Sequence, residues 1–396
     1  MQEKYDVAIL GVWYGCNYGS VATYYSLYSV VTNLGKSVLM VHRPWITAYD
    51  EKGMERRESL KFARMHYNVS ESYNIKEIYK LNEICDTFLL GSDQLWNYGI
   101  TKIFGHSYFL DFVTKEKKKI AYATSFGSSR FLAPWNYAWK ALICMRNMNY
   151  VSVREEMNVK MCSKLFGINA AHTLDPVLLC DSSCLGALAD ESKRKIKTNY
   201  IAAYILDPTP QKKDALLYLA DKMGKELVIM LDGWPHLFKG NQEKMGLQEF
   251  VVSDLNEYDW VFYLKNSDFI VTDSFHGTCM AVLFEKQFIS FANPGRGSDR
   301  FESLMKTFDL FDRYFRNPNK VKEFDDTNKI DYQAINQVLN REREASMKWL
   351  EEALCNGTAE QSVINENEHL YPLRLVKSIL LYYRARIKNK YKGRKK

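Results

Sequence analysis

The chain has 396 residues, 46% of them hydrophobic and 26% charged, which excludes a disordered or fibrous protein and exceeds what one ordinary core accommodates, so two domains are expected. The net charge of +7 does not point to nucleic acid, because ten Lys or Arg and no Asp or Glu fall between Leu370 and Lys396, and the remaining 44 basic groups face 47 acidic ones. A phosphate-backbone binder carries its basic stripe on the folded domain, so no nucleic-acid partner is expected.

Eight cysteines (Cys16, Cys85, Cys144, Cys162, Cys180, Cys184, Cys279, Cys355) are scattered without a C-x-x-C pair. That suits reduced thiols. The opening MQEKYDVAILGV has acidic residues where an export signal is basic, and no stretch reaches the roughly 18 apolar residues of a membrane span. A cytoplasmic location is the expectation.

Short apolar strands alternate with amphipathic helices, the pattern of parallel α/β sheets. A strand over 6–12, a glycine loop, a helix over 21–35 ended by Gly35 and a strand over 36–44 come first. Strands over 86–91, 119–127 and 150–155 follow, then a helix over 156–166 that stops at Gly167. Residues 181–198 are small, polar and charged, and the domain boundary is expected there. The alternation restarts with strands over 199–206, 225–231, 268–273 and 287–294, with a helix over 211–223 and another opened by Ser274. A long helix over 331–354 closes the fold. The expectation is two Rossmann-like, doubly wound domains, 1–185 and 196–330, whose strand ends face one cleft, followed by a closing helix and linker over 331–365 and a basic amphipathic tail over 366–396.

Chemistry is sought at the strand ends. In GVWYGCNYGS, glycines at 11, 15 and 19 let the backbone approach a ligand, and the following helix start offers free N–H groups to an anion. Gly15, Asn17 and Ser20 are the candidate contacts, although a plain turn explains the glycines equally. The spacing is neither a dinucleotide fingerprint nor a Walker loop. In LLGSDQLWN, Asp93 can act as a base or bind sugar hydroxyls with Trp96 as an apolar platform, or Ser92 and Asp93 can simply cap a helix. Arg154 ends the strand in VSVRE and either pairs with Glu155 or Glu156 or offers a planar fork to a carboxylate or phosphate.

The stretch VTDSFHGT, residues 271–278, places Ser274 as a helix cap and His276 in the first helical turn. The helix dipole there disfavours an imidazolium unless an anion sits nearby, so His276 becomes a usable proton donor when an anionic ligand is bound. Gly277 follows it. FANPGRGSDR then carries Arg296 and Arg300 in a glycine-rich loop, either a ligand-approaching segment or a surface turn. No histidine, cysteine or acidic cluster with metal-ligand spacing occurs, so no metal is expected.

These motifs in this order resemble the polysaccharide pyruvyl transferase family: G-x-x-x-G-x-N-x-G-S at the first strand end, GSDQ-x-W, SVRE, LDPVLL over 174–179, TDSFHG and FANPGRGSDRF, together spanning roughly residues 5–310. The resemblance implies a two-domain fold like that of GT-B glycosyltransferases and transfer of a carboxyethylidene group from phosphoenolpyruvate to a sugar, with phosphate released and no cofactor. It places the family's histidine on His276 and its strand-end arginine on Arg154, with Arg296 where several relatives have lysine. His276 and Asp93 are then the catalytic candidates. Arg154, Arg296, Ser274 and Gly277 are the donor-binding candidates.

In the tail, Leu373, Val376, Leu380, Tyr383 and Ile387 recur at helical spacing with basic flanks, the pattern of a helix that lies in a membrane interface. The partners expected are phosphoenolpyruvate, a sugar acceptor linked to lipid, and an anionic membrane surface. A nucleotide-sugar glycosyltransferase of the same architecture and a non-catalytic scaffold of a polysaccharide assembly complex are the competing readings.

Overall fold

The computed structural model describes residues 3–14, 17–47, 58–195, 198–357 and 363–393. Two wholly parallel sheets carry the fold. The first has the order β2-β1-β3-β4-β5-β6, with β1 Tyr5–Leu10, β2 Val38–Met40, β3 Cys85–Leu90, β4 Lys118–Ala121, β5 Tyr150–Val153 and β6 Ala171–His172. The second has the order β11-β10-β9-β7-β8, with β7 Tyr200–Ile205, β8 Glu226–Leu231, β9 Phe269–Thr272, β10 Gln287–Phe291 and β11 Tyr314–Phe315. Central strands such as Ala8-Ile9-Leu10 and Ile201 to Ile205 are buried on both faces. Continuous apolar runs therefore replace the alternation of a half-exposed strand.

The helix Tyr18–Asn33 begins three residues before the expected 21 because Asn17 caps it, its side chain accepting from Gly19 and Ser20 backbone N–H groups at 3.1 and 3.4 Å. The helix over 156–166 is α-helical to Met161 and finishes as a π turn, Cys162–Phe166, ended by Gly167 at φ 58°. The expected strands 36–44 and 119–127 shrink to Val38–Met40 and Lys118–Ala121. Of their remaining residues, Arg43 reaches the space between the two sheets. Between the two sheets the 181–198 segment holds a helix, Ser182–Asp190, that packs on Glu257–Asn266 in the second lobe.

One apolar cluster runs through both lobes behind the cleft, joining Ile9 and Leu89 of the first sheet to Tyr204 and Ile270 of the second. Tyr18 stacks on Trp260 at 6.2 Å and donates to the Leu255 carbonyl at 2.9 Å. The closing helix Tyr332–Cys355 leaves the second lobe and returns to the first, where Ser346 Oγ accepts from Leu174 N at 3.0 Å and Trp349 meets Tyr122.

The C-terminal helix Tyr371–Gly393 is not a free tail. Leu373, Leu380, Tyr383 and Ile387 of the expected stripe are exposed, but Leu375 and Ile379 on another face are buried in the first lobe's core. The Ser378 hydroxyl donates to the Phe131 carbonyl, and Arg146 lies 4.7 Å from the Tyr371 ring centroid. Ile379→Ala should therefore cost about 2–5 kcal/mol of stability, read as a lower urea midpoint. A midpoint equal to that of the parent chain would show that this helix contributes nothing to the core.

Candidate active site

Strand order in each sheet reverses where the chain winds outward from its first strand, between β1 and β3 in one lobe and between β7 and β9 in the other. The loops leaving those strands splay apart there, which opens a crevice at the carboxyl ends. The two crevices face each other as a cleft of about 640 Å³, lined by Asn17, Ser20, Asp93 and Gln94 from the first lobe and by Leu206, Asp273 to His276, Arg296 and Arg300 from the second. At its floor the helix Tyr18–Asn33 meets the helix Phe275–Leu283 so closely that a Cβ on Gly19 would lie 2.5 Å from Cβ of His276. Glycine is required at position 19 because the histidine of the other lobe occupies that space.

Arg154 organises the floor. Its Nη1 donates to Asp175 Oδ2 at 2.6 Å and to Ser92 Oγ at 3.1 Å, Nη2 to Asp93 Oδ1 at 3.2 Å and Nε to Glu155 Oε1 at 3.2 Å. Burial alone would lower its pKa, but Asp175, Glu155 and Asp93 outweigh burial and raise it. The side chain is 1% exposed and does not line the cleft. Its fork, expected to face a ligand, is spent inside the protein on three carboxylates and Ser92. His276 Nε2 lies 3.5 Å from Arg154 Nη1 and 3.8 Å from Asp175 Oδ2. Asp175 is likewise buried, and although burial alone would raise its pKa, its interaction with His276 and the charge of Arg154 hold it well below the usual carboxylate range.

Asp93 adopts φ 80°, a left-handed conformation that a non-glycine residue holds only against some strain. The carboxylate lies at the cleft. Burial alone would raise its pKa, and the charges of Arg154, His276 and Arg300 bring it below the ordinary value. It is therefore an ionised acceptor of hydrogen bonds at neutral pH.

The arginines differ in how fully they are balanced. Arg296 lines the cleft and donates from Nε to Asp207 at 2.7 Å and from Nη2 to Asp232 at 2.9 Å, so that edge of its guanidinium is committed to carboxylates. Arg300 is buried, donates from Nη2 to the Arg296 carbonyl at 2.6 Å, approaches Asp93 only to 3.8 Å, and its Nε has no hydrogen-bond partner among the described residues. Burial and the neighbouring Arg154 push its pKa down to about 10. It remains cationic at neutral pH but is the least satisfied of the three. Phe275 is within cation–π distance of both Arg154 and Arg300, whose Cζ atoms lie 4.7 and 5.4 Å from its ring centroid.

Several expected residues sit elsewhere or act differently. Trp96 is fully buried, its indole N–H donating to the Tyr108 carbonyl at 2.9 Å among Phe109 and Phe126, so it is core and not a platform in the cleft. Gly277 does not line the cleft, and its N–H is taken by the Ser274 side chain at 3.3 Å. A Cβ there would meet Thr272 Oγ1 at 2.5 Å, so glycine is needed for packing. Ser274 does line the cleft as the helix cap. Asn17 and Ser20 line it too, with Ser20 Oγ donating to the Val12 carbonyl at 3.0 Å. Gly15 lies outside the described residues. Asp175 and Phe275 are not singled out by the sequence reading, and Arg300 enters it only as part of the glycine-rich loop with Arg296. The sequence signals were an Asp-Pro at a helix start, an aromatic beside His276 and a second arginine in the glycine loop.

The sequence profile of the polysaccharide pyruvyl transferases matches residues 12–295. The chain belongs to the polysaccharide pyruvyl transferase family. Among solved structures, UDP-GlcNAc 2-epimerase from Methanocaldococcus jannaschii is 10% identical, with 94% of this chain and 99% of that one covered at a TM-score of 0.50. An S. aureus MnaA–UDP structure is 14% identical, with 94% and 98% covered at 0.49. A Thermobaculum terrenum O-GlcNAc transferase is 11% identical, with 92% and 66% covered at 0.43. The likeness is one of fold, the two-lobed GT-B architecture. No curated protein sequence matches the chain significantly.

In this member of the family the sequence motifs converge on one floor: SVRE brings Arg154, LDPVLL brings Asp175, GSDQ brings Asp93 and TDSFHG brings Phe275 and His276. Asp175→Asn tests how tightly that floor is bound together. Asp175 has a folded pKa below its unfolded one, so its ionic contribution is complete above the unfolded value and declines as pH falls towards the folded one. The variant should lose about 3–5 kcal/mol at neutral pH, and the gap to the parent should narrow as pH drops below about 4. Urea titrations at both pH values check this, and a gap independent of pH would contradict it.

Proposed function

We propose that the protein transfers a carboxyethylidene group from phosphoenolpyruvate to two hydroxyls of one sugar in a surface polysaccharide or its lipid-linked precursor. The observation that carries this reading is the incompletely balanced guanidinium of Arg300 beside His276, at a floor where two helix N-termini converge. A buried cation of this kind favours an anion, and the capped helix starts at Asn17 and Ser274 add the positive ends of their dipoles. Phosphoenolpyruvate carries a carboxylate and a phosphate and answers both. Arg300 takes over much of the role expected of Arg154 and Arg296, whose forks are occupied by Asp175, Asp93, Asp207 and Asp232.

In the first step a sugar hydroxyl adds to C2 of phosphoenolpyruvate while its C3 methylene accepts a proton and becomes a methyl group. His276 is the donor of that proton, with Arg154 and Asp175 fixing the ring behind it. Asp93 orients the attacking hydroxyl and takes its proton as the C2–O bond forms, and that proton returns to His276 before the next turnover. In the second step the neighbouring hydroxyl of the same sugar displaces phosphate from C2, and its proton leaves with the phosphate. The product is a cyclic ketal. The donor carries its own activation, and the residues named here supply positioning, charge and one proton.

The lipid-linked acceptor is supported by the C-terminal helix, whose exposed Leu373, Leu380, Tyr383 and Ile387 stand beside exposed Arg384 and Lys388, an interfacial pattern with attraction for anionic lipid. No helix among the described residues is long and apolar enough to cross a membrane.

Incubation with phosphoenolpyruvate and candidate lipid-linked saccharides, reading phosphate release and a mass gain on the acceptor, tests the reaction directly. Turnover of a nucleotide sugar with none of phosphoenolpyruvate would replace this reading by glycosyl transfer. His276→Ala should lower turnover by roughly 10²- to 10⁴-fold, the range supplied by general acid catalysis, with an unchanged circular dichroism spectrum. Arg300→Met should raise the KM for phosphoenolpyruvate about 10- to 100-fold, the worth of a hydrogen bond to a charged group. Because the free protein holds Arg300 against its burial, the same variant should not lose stability. A destabilised protein with an unaltered KM would make Arg300 structural.

A further inference from the structure

The first lobe carries a second apolar surface that the terminal helix does not account for. In the helix Trp135–Arg146 the inner face, Tyr137, Ala138, Ala141, Leu142 and Met145, is buried, and Trp135, Trp139 and Ile143 stand out on the other side at four-residue spacing. Trp135 is 48% and Trp139 38% exposed, and their rings stack at 5.5 Å with planes 6° apart. A soluble surface rarely displays such a pair without use. The helix contains Lys140 and Arg146 and no acidic residue.

This ridge is tied to both the terminal helix and the cleft. The terminal helix Tyr371–Gly393 packs against the helix Trp135–Arg146. Tyr98 joins the two, its ring 4.7 Å from Tyr137 and 5.8 Å from Tyr382. Two and five residues beyond Tyr98, the exposed side chains of Ile100 and Ile103 form part of the cleft wall. The half-buried Tyr98, packed on Tyr137 of the inner face, thus ties the helix that carries the tryptophan pair to the segment that forms the cleft wall. Trp and Tyr are the side chains that settle at the headgroup level of a bilayer, and the basic, acid-free terminal helix beside them supplies the charge that anionic lipid requires.

We propose that the Trp135–Trp139 ridge and the terminal helix together form one bilayer-contacting surface for anionic lipid, with Ile100 and Ile103 as the lip through which a membrane-bound acceptor enters. The proposal rests on the reading of the acceptor as lipid-linked. The ridge supplies apolar insertion, and the terminal helix supplies charge and an outer apolar stripe. A surface built from two elements fixes the orientation of the lobe on the membrane, which one terminal helix does not.

The test uses the full chain and vesicles of phosphatidylcholine with and without phosphatidylglycerol. Trp135→Ser with Trp139→Ser should lower cosedimentation with the anionic vesicles about tenfold or more, although every basic residue of the terminal helix is retained. Its urea midpoint and its turnover of a soluble acceptor should match those of the parent. Leu373→Ser with Leu380→Ser and Ile387→Ser is the parallel variant of the terminal helix. In the parent, lipids brominated in their acyl chains should quench tryptophan fluorescence, and the double serine variant should lose most of that quenching.

Parent-like vesicle binding by the double serine variant would overturn the ridge, and would leave the terminal-helix reading standing if the triple variant alone lost binding. A parent that sediments as a dimer and a double variant that sediments as a monomer, with vesicle binding retained, would also overturn it and make the ridge a self-association surface. If the double variant loses vesicle binding while the parent turns over lipid-linked and soluble acceptors equally on vesicles, the ridge holds and the lipid-linked acceptor falls.

Discussion

A guanidinium taken out of water must find its balance in carboxylates, and Arg154 finds three. Asp175 comes from the segment after β6, Asp93 from the loop after β3, and Glu155 follows Arg154 itself at the end of β5. Each is placed by a different connection of the first sheet, so the ion cluster holds the strand ends in register with one another. Removing one partner from such a cluster leaves a buried charge without compensation. The cluster also reaches across to the second lobe, since His276 rests on Arg154 and Asp175, and Phe275 lies against the guanidinium plane.

The same accounting explains where the site is chemically open. Asp175 and Glu155 are spent on Arg154, Asp207 and Asp232 on Arg296, and Asp273 on Lys212 and the backbone of Leu206 and Asp207. Arg300 is left with a carbonyl and a distant share of Asp93. Its lowered pKa expresses the cost of holding a cation there without its own counter-ion. Stability given up in this way is a common property of binding sites.

The cleft exists because two lobes are held together at its back and along one side. Behind it lies the shared apolar cluster and the closing helix. On one side the loop carrying Arg296 lies on the first lobe, with a Cβ on Gly297 able to fit only 2.3 Å from the Gly127 carbonyl, and Asp299 accepts from Ser129 N at 2.6 Å. Gly297 has φ 92°, which lets the backbone make that approach.

Much of this was legible in the sequence. Among the described residues, apolar runs mark all nine of the longer strands, and the sequence overstates the length of two of them, because Val41, Tyr122 and Ala123 stay apolar and buried after the strand has ended. The two-residue strands β6 and β11 leave no periodic signal. His276, Asp93 and Arg154 were identified because strand ends in parallel sheets are where side chains meet ligands. Which of the three touches a ligand depends on contacts between residues up to 122 positions apart, and no local pattern encodes them. Trp96 reads as a platform from its neighbours and becomes core once Phe109 and Phe126 close over it. The terminal helix reads as one amphipathic stripe because sequence periodicity does not say which apolar face has a partner. The determined part is local, set by backbone propensity and burial period. The assignment of charges to partners was decided by tertiary structure, since desolvation and pairing energies act between groups that only the fold brings together.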